Sequence, residues 1–382
     1  MIGGDYQGLG IVRSLGRRGV DVLVVDDERS ISRHSRFATA AVRVPELRDE
    51  ETAVERLLEL GERHGLDGWV VFPTREETVA ALSIHRDRLQ TRFRIPTPGW
   101  DVVKWAWDKR NTYEIAAEVG IATPRTWVVG STEELSAIDG EPPFAVKPAI
   151  KERFVYATGA KAWRADSRAQ LEERFCAAAS LVGAGEVMVQ ELIPGSGEAQ
   201  LAYCALFRDG RSAASMVVRR LRQHPPLFGR ASTFVETIEH PELEELSQRF
   251  LRRIGYYGLV ELEYKHDVRD GQTKLLDVNA RTWGYHSLGQ RAGVDFPYLL
   301  YADQLSLAAP DGLCAPPGVR WVRLATDIPT AVVQIAHGGL DWRAYLRSLR
   351  GANVESVFNR DDPLPGFAEL GLLPYLAVKR GL

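Results

Sequence analysis

Two apolar segments carry acids where a buried strand would normally exclude them. They read GLVELEYKHD (258–267) and LLDVNARTWG (275–284). Side chains alternate along a strand, so Glu261 and Glu263 share one face, and Asp277 and Asn279 share a face of the other. A turn through Asp270 and Gly271 can join the segments as a hairpin. Pairing then brings carboxylates together among apolar neighbours, and like charges facing each other repel. A divalent cation resolves that conflict. Oxygens of Asp, Glu and Asn suit Mg²⁺, which takes one or two carboxylates plus substrate phosphates. A solvated hairpin is the bland alternative, and its apolar surroundings argue against it. Arg281 lies two residues past Asn279 and points to the same side. It offers a planar fork to a phosphoryl or carboxylate oxygen; a structural salt bridge is its simpler role.

Upstream, the chain alternates between strand and helix patterns. A glycine-rich turn at 3–10 (GGDYQGLG) precedes a helix through Ile11 and Leu15. Residues 21–25 (DVLVV) read as a buried strand ending in Asp26 and Asp27. Residues 50–64 carry Val54, Leu57, Leu58 and Leu60 at helical spacing, and 69–72 (WVVF) read as another buried strand. This is the rhythm of a parallel sheet wrapped by helices. Only Met1 and Ile2 precede the turn, so either the first strand is very short or the true start lies upstream. Pro96 and Pro98 mark a boundary. The reading is an α/β chain in three parts: 1–98, a Rossmann-like lobe; 99–310, with a small α+β lid at about 122–192; and 311–382, a tail packed on that core. In the second part, helices are expected at 108–119, 167–181 and 241–254, with short strands between. The tail is read as strands with one short helix at 342–349.

Further candidates precede the hairpin. Lys109 opens a helix, and Lys147 closes the buried strand FAVK. A lysine there is costly unless its charge meets an anion or water, and phosphate is a natural partner; a lysine snorkelling to the surface is the plain alternative. In VMVQELIPGSGE (187–198) an apolar strand runs into Gln190 and Glu191 and bends at Pro194 and Gly195. The bend exposes backbone groups to a purine edge, and Glu198 follows at a distance suited to a ribose hydroxyl. A surface hairpin with solvated carboxylates is the competing reading.

Taken in order, DKRNTYEIAAEVGIATP, FAVKP, VQELIPGSGE, VELEYK and LLDVNAR resemble the motifs of the ATP-grasp superfamily. Within it the chain looks like the carboxylate–amine ligases and the carbamoyl-phosphate-synthetase-like group. The resemblance implies an ATP-grasp fold behind a Rossmann-like pre-ATP-grasp domain. It implies ATP and Mg²⁺ (or Mn²⁺) as cofactors, and an amide or peptide bond made through an acyl phosphate, with an amino-acid substrate. Lys109, Lys147 and Lys161 would hold phosphates. Gln190, Glu191, Leu192 and Ile193 would flank adenine, and Glu198 would bind ribose. Glu263, Asp277 and Asn279 would hold the metal; Glu261 fits that spacing less well. Arg281 and Lys147 would be catalytic. Two departures stand out: many relatives have glutamate at the Asp277 position, and the lid segment 150–161 is poor in glycine, so Lys151, Arg153 or Lys161 could supply its charge.

The acid and amine are not legible. Arg219, Arg220, Arg222, Arg291, Thr74 and Arg75 are substrate candidates; each taken singly reads first as a solvated surface residue. A net charge of −3 gives no footprint for nucleic acid. Three dispersed cysteines make a disulfide framework or zinc site unexpected. No signal-like or bilayer-length apolar run is visible, so a cytoplasmic protein acting on small molecules, with no membrane partner, is expected. Relatives are often dimers, though no interface pattern shows. The glycine turn with Asp26 imitates a dinucleotide fingerprint but does not keep the G-x-G-x-x-G spacing. A phosphotransferase or a non-catalytic ATP sensor on the same fold stays open.

Overall fold

The structure is a computed structural model and describes residues 1–195 and 197–380. In the N-terminal lobe, Leu23–Asp26 pairs in parallel with Ala40–Arg43. Ile2 bridges both Val25 and Pro73, and Val70 bridges Arg94. The expected strand at 69–72 is therefore an extended segment held by single bridges, with Phe72 O accepting from Ile2 N–H and Val71 N–H donating to Arg94 O. The helix Glu50–His64 buries Val54, Leu57 and Leu60, is capped by Asp49 and ends at Gly65, where φ is 63°. Only glycine adopts that left-handed conformation without strain.

The lid is a four-stranded antiparallel sheet in the order Thr126–Val128, Val187–Glu191, Phe144–Pro148, Trp163–Ala165. Its back is covered by the helix Arg168–Val182, whose first turn is capped by Ser167. Phe144, Phe154, Leu171, Phe175 and Val189 fill the space between.

The central sheet runs Gln272–Asn279, Gly258–Asp267, Gln200–Arg208, Arg211–His224, Ala231–Ile238, Arg320–Val322, Val354–Glu355. Its inner strands are buried on both faces, with alternate residues turned to two different cores. Ala202, Cys204 and Leu206 face one core, shared with Ile11, Val12, Trp283 and Phe296. Tyr203, Ala205 and Phe207 face the other, shared with Leu243, Phe250, Leu251 and Ile115. The helix Pro241–Arg253 supplies those leucines and Phe250 from one apolar stripe, with its proline in the first turn.

The tail holds more helix than expected. Besides Trp342–Arg350, it forms Leu324–Ala336 and Leu364–Arg380, each with an internal proline. It adds Leu313–Cys314, Arg320–Val322 and Val354–Glu355 to the central sheet. It also binds the N-terminal lobe, where buried Arg13 meets Asp362 at 2.9 Å. Among the described residues, no helix is long and apolar enough to cross a membrane.

Candidate active site

The lid sheet and the central sheet face each other across a cleft of about 950 Å³, its open mouth included. Its floor is the acid-bearing hairpin. Glu261 stands opposite Asn279 and Glu263 opposite Asp277. The Asn279 amide donates to both glutamates, at 2.9 Å to Glu261 and 3.3 Å to Glu263. Asp277 receives Lys109 at 3.0 Å on one oxygen and Lys151 at 3.5 Å on the other. Lys151 also reaches Asn279 Oδ1 at 2.9 Å, and Arg220 lies 3.5 Å from Glu263. Burial alone would raise the Asp277 carboxyl, but the ammonium groups of Lys109, Lys151 and Lys161 hold it far below the usual range. Burial likewise opposes ionisation of Glu263, yet Lys161 and Arg220 carry it below its ordinary value. Deeper Glu261 accepts from Tyr285 and Asn279, and Arg220 and Arg281 act on it only as weaker lowering influences. Burial, and then the charge of Glu263, push it up to about 7.

These oxygens suit a divalent cation. Among the described residues no three His, Cys, Asp or Glu side chains gather at one point. Glu263, Asp277 and Asn279 supply two carboxylates and an amide, and their oxygens already face protein cations. Such a set is completed by phosphate oxygens in Mg²⁺ sites.

The cations come from separate elements. Lys109 is the first residue of the helix Lys109–Glu118 and is buried. Lys147, on the lid strand, donates to the Tyr113 hydroxyl at 3.0 Å. Tyr113 in turn donates to Leu276 O and accepts from Gln190 at 3.1 Å. The sequence reading missed Tyr113, which anchors Lys147 across the cleft. Lys161 lines the cleft, and burial pushes its ammonium below the ordinary value despite nearby Glu263. The lid segment 150–161 contains the helix Lys151–Thr158, pinned by buried Phe154.

At the hinge, two backbone N–H groups are already engaged: that of Glu191 with Arg125 O at 2.9 Å, and that of Leu192 with Pro143 O at 3.3 Å. The Glu191 carboxylate points away to Lys274 and Arg269. Lys265 ties the hinge to the floor through the carbonyls of Ile193 and Gly195, both at 2.9 Å. Leu192, Ile193, Leu227, Phe228 and Leu276 give the cleft apolar walls. Glu198, expected at a ribose, is exposed on the short turn Gly197–Ala199 and is not part of that lining.

Arg281, expected as catalytic, and the six substrate candidates separate sharply. Arg281 faces Glu76 at 2.8 Å, and Arg220 lines the cleft. The others have structural partners or lie outside. Thr74 donates to Ile2 O, and Arg75 binds Asp26 and Asp27, each at 2.6 Å. Arg219 pairs with Glu236. Arg222 chelates Asp327 through Nε and Nη2. Arg291 is exposed at the end of the short helix Ser287–Arg291. Glu76 was missed because its position follows from one lobe approaching another, which no local pattern records.

The glycine turn is filled by the protein itself. Gly4 N–H donates to Asp26 at 2.6 Å, and Asp5 caps the helix Tyr6–Gly16. A Cβ on Gly10 would stand 2.6 Å from the His286 ring. Asp26 thus faces inward to Gly4 and Arg75, not outward to a ribose.

Comparison with known proteins gives a consistent picture. Residues 186–324 match the family described as ATP-grasp in the biosynthetic pathway with Ter operon. The chain is similar to D-aspartate ligase of Enterococcus faecium (strain Aus0004), with 21% identity over 299 residues, covering 74% of this chain and 70% of the relative. Its fold is similar to that of L-amino acid ligase from Bacillus licheniformis, at TM-score 0.60 and 18% identity, covering 80% of this chain and 73% of the other. Biotin carboxylase from Campylobacter jejuni aligns at TM-score 0.66 and 15% identity, covering 84% and 73%.

Proposed function

We propose, from the premise that the chain is an ATP-grasp protein, that it joins a carboxylate to an amine in an ATP-dependent, ADP-forming ligation. The observation that carries this reading is the convergence of Lys109 and Lys151 on Asp277, with Lys151 also on Asn279, at the floor of a cleft large enough for a nucleotide. A carboxylate oxygen attacks the γ-phosphorus, the bond to ADP breaks, and an acyl phosphate forms. The amine nitrogen then attacks the acyl carbon, phosphate leaves, and the nitrogen loses a proton.

The protein's work in such a reaction is positioning and neutralisation. Lys109, Lys147 and Lys161 hold phosphates, and the backbone at 191–193 reads the adenine edge. Glu263, Asp277 and Asn279 would hold Mg²⁺, which supplies charge neutralisation at the phosphates. Arg281 receives the reacting carboxylate. The helix Lys151–Thr158 closes the lid side of the site against water, which matters because acyl phosphates hydrolyse.

The test is ADP release with MgATP against amino acids and small carboxylic acids, alone and with amines, with products read by mass spectrometry. A condensed product that depends on both partners, and disappears in Asp277→Ala, is the expected result. A phosphorylated acid as the final product would instead mark a phosphotransferase. Nucleotide binding that no acid turns into ADP release would mark a sensor.

A further inference from the structure

The nucleotide cleft ends at Lys151 and Asp277. Glu76 and Arg281 stand beyond that end. Past Arg281 opens a smaller cavity of about 260 Å³, mouth included. Its walls are Phe72 and Pro96 from the N-terminal lobe and Tyr256, Leu259 and Leu300 from the core.

Three features of this junction belong together. Glu76, in the first turn of the helix Glu76–Ile84, is carried between the lobes with its side chain only 12% exposed. It binds two cations, Lys151 at 3.0 Å and Arg281 at 2.8 Å. The Lys151 ammonium is held by three oxygens at once, from Glu76, Asn279 at 2.9 Å and Asp277 at 3.5 Å. The spot therefore accommodates a primary ammonium. Finally, Arg281 Nε is buried and has no hydrogen-bond partner among the described residues. A buried donor of that kind is suited to an incoming anion.

We propose that this junction seats an α-amino acid with a small apolar side chain as the acid to be activated. Its ammonium lies on Glu76, where Lys151 Nζ lies here. Its α-carboxylate lies against Arg281, and its side chain enters the small cavity. This rests on the ligase reading above and names the class of its acid substrate. A divalent ion would share Asp277 and Asn279, but Glu76 comes from the other lobe and is paired with Arg281, so it serves the organic substrate. An acid without an ammonium that takes this spot displaces Lys151 and leaves Glu76 with Arg281 as its one cation in a buried place, which is costly. A cationic side chain finds no carboxylate in the cavity lining, and with Arg281 taken by the α-carboxylate an acidic one is left only Thr97 and Thr282 among apolar walls. Lys151 competes for the same oxygens, so substrate entry displaces the first turn of the lid helix.

The test uses the full chain with MgATP and hydroxylamine, which traps an acyl phosphate as a hydroxamate. The acids are alanine, lactate, propionate and aspartate. Alanine is expected to exceed lactate and propionate in kcat/KM by at least about 100-fold, since a site built to bond a polar group rejects analogues that lack it. Glu76→Gln should shrink that preference to about tenfold or less, chiefly through KM for alanine, by removing the charge-assisted bond. Glu76→Asp should recover part of it, and MgADP should bind both variants as it binds the parent. Equal use of alanine and propionate, or a preference that survives Glu76→Gln, overturns the proposal and leaves the ligase reading standing. Aspartate preferred over alanine overturns the small apolar class. Turnover with some other acid but none of these four also overturns the proposal alone. MgADP binding without turnover on any acid sinks the ligase reading with it.

Discussion

At the N-terminal glycine turn, Arg75 meets Asp26 and Asp27 at 2.6 Å, and Asp26 also takes the Gly4 N–H. Those three charges have their partners within the lobe. In the cleft and the junction beyond it, Lys109, Lys147, Lys151, Lys161, Arg220 and Arg281 face Glu76, Glu261, Glu263 and Asp277. Cations are in excess, and burial disfavours ionisation of Glu261, which widens that excess. Both regions look suited to phosphate by residue type. Only the cleft leaves positive charge directed at open space, which is the condition for binding an anion.

The largest expected effect tests the cleft side of that contrast. Lys147→Ala removes a charge held over the cleft by Tyr113 and should lower ATP turnover about 1000-fold, as loss of a preorganised charge-stabilising donor does. Thermal unfolding should barely move. Near-normal turnover in that variant would falsify the assignment of Lys147 to phosphate. Next comes the other side. Arg75→Ala leaves buried Asp26 without a cation and Asp27 with only Arg48 at 3.6 Å, and should lower unfolding free energy by about 3 kcal/mol, read by urea titration, with MgADP affinity unchanged. If stability held and nucleotide binding failed, the glycine turn would be a ligand site and the contrast would collapse.

A pH experiment sharpens the same point. His286 packs against Gly10 and bonds Gln7 O at 2.8 Å. Burial lowers its imidazole from 6.5 to about 4. The unfolded chain then binds the extra proton first. Stability from the neutral ring is complete above pH 6.5 and falls as pH drops towards 4. The loss amounts to roughly 3 kcal/mol over that window. Urea midpoints from pH 7 to 4.5 should show it, and His286→Gln should flatten the curve. A profile unchanged by that substitution would detach His286 from the packing of the turn.

Much of this architecture was legible because its signals are local. Asp108, Ser167 and Pro241 mark helix starts; the period-two hairpin set Glu263 and Asp277 opposite each other. The misses have physical causes too. The strand Arg211–His224 carries Arg219, Arg220 and Arg222, and register shifts on both sides of Arg222 break the alternation that would reveal it. Pro329 and Pro374 disguise two tail helices. Glu76 is invisible for a different reason. It sits in an ordinary acidic first turn, where Glu76 and Glu77 favour the helix dipole, and only docking of the lobes turns it towards Arg281.

The smallest expected effect concerns the lid helix Lys151–Thr158, which touches both regions. Tyr156 donates to Glu77 at 2.5 Å, and the Arg48 guanidinium lies 4.3 Å from its ring centre. Lys151 meanwhile reaches Glu76 and the cleft acids. Tyr156→Phe keeps the ring and removes one hydrogen bond at a half-exposed site, a change of about 0.5–1 kcal/mol. Amide hydrogen exchange across 151–158 should then quicken by roughly twofold to fivefold in the nucleotide-free protein. If substrate displaces Lys151, that difference between variant and parent should shrink once substrate and MgATP are bound, because movement of the first turn loosens the contact of Tyr156 with Glu77. A difference that persists undiminished in the loaded protein would mean the helix stays docked while the cleft fills, and the two regions would then be joined permanently instead of exchanging one lysine.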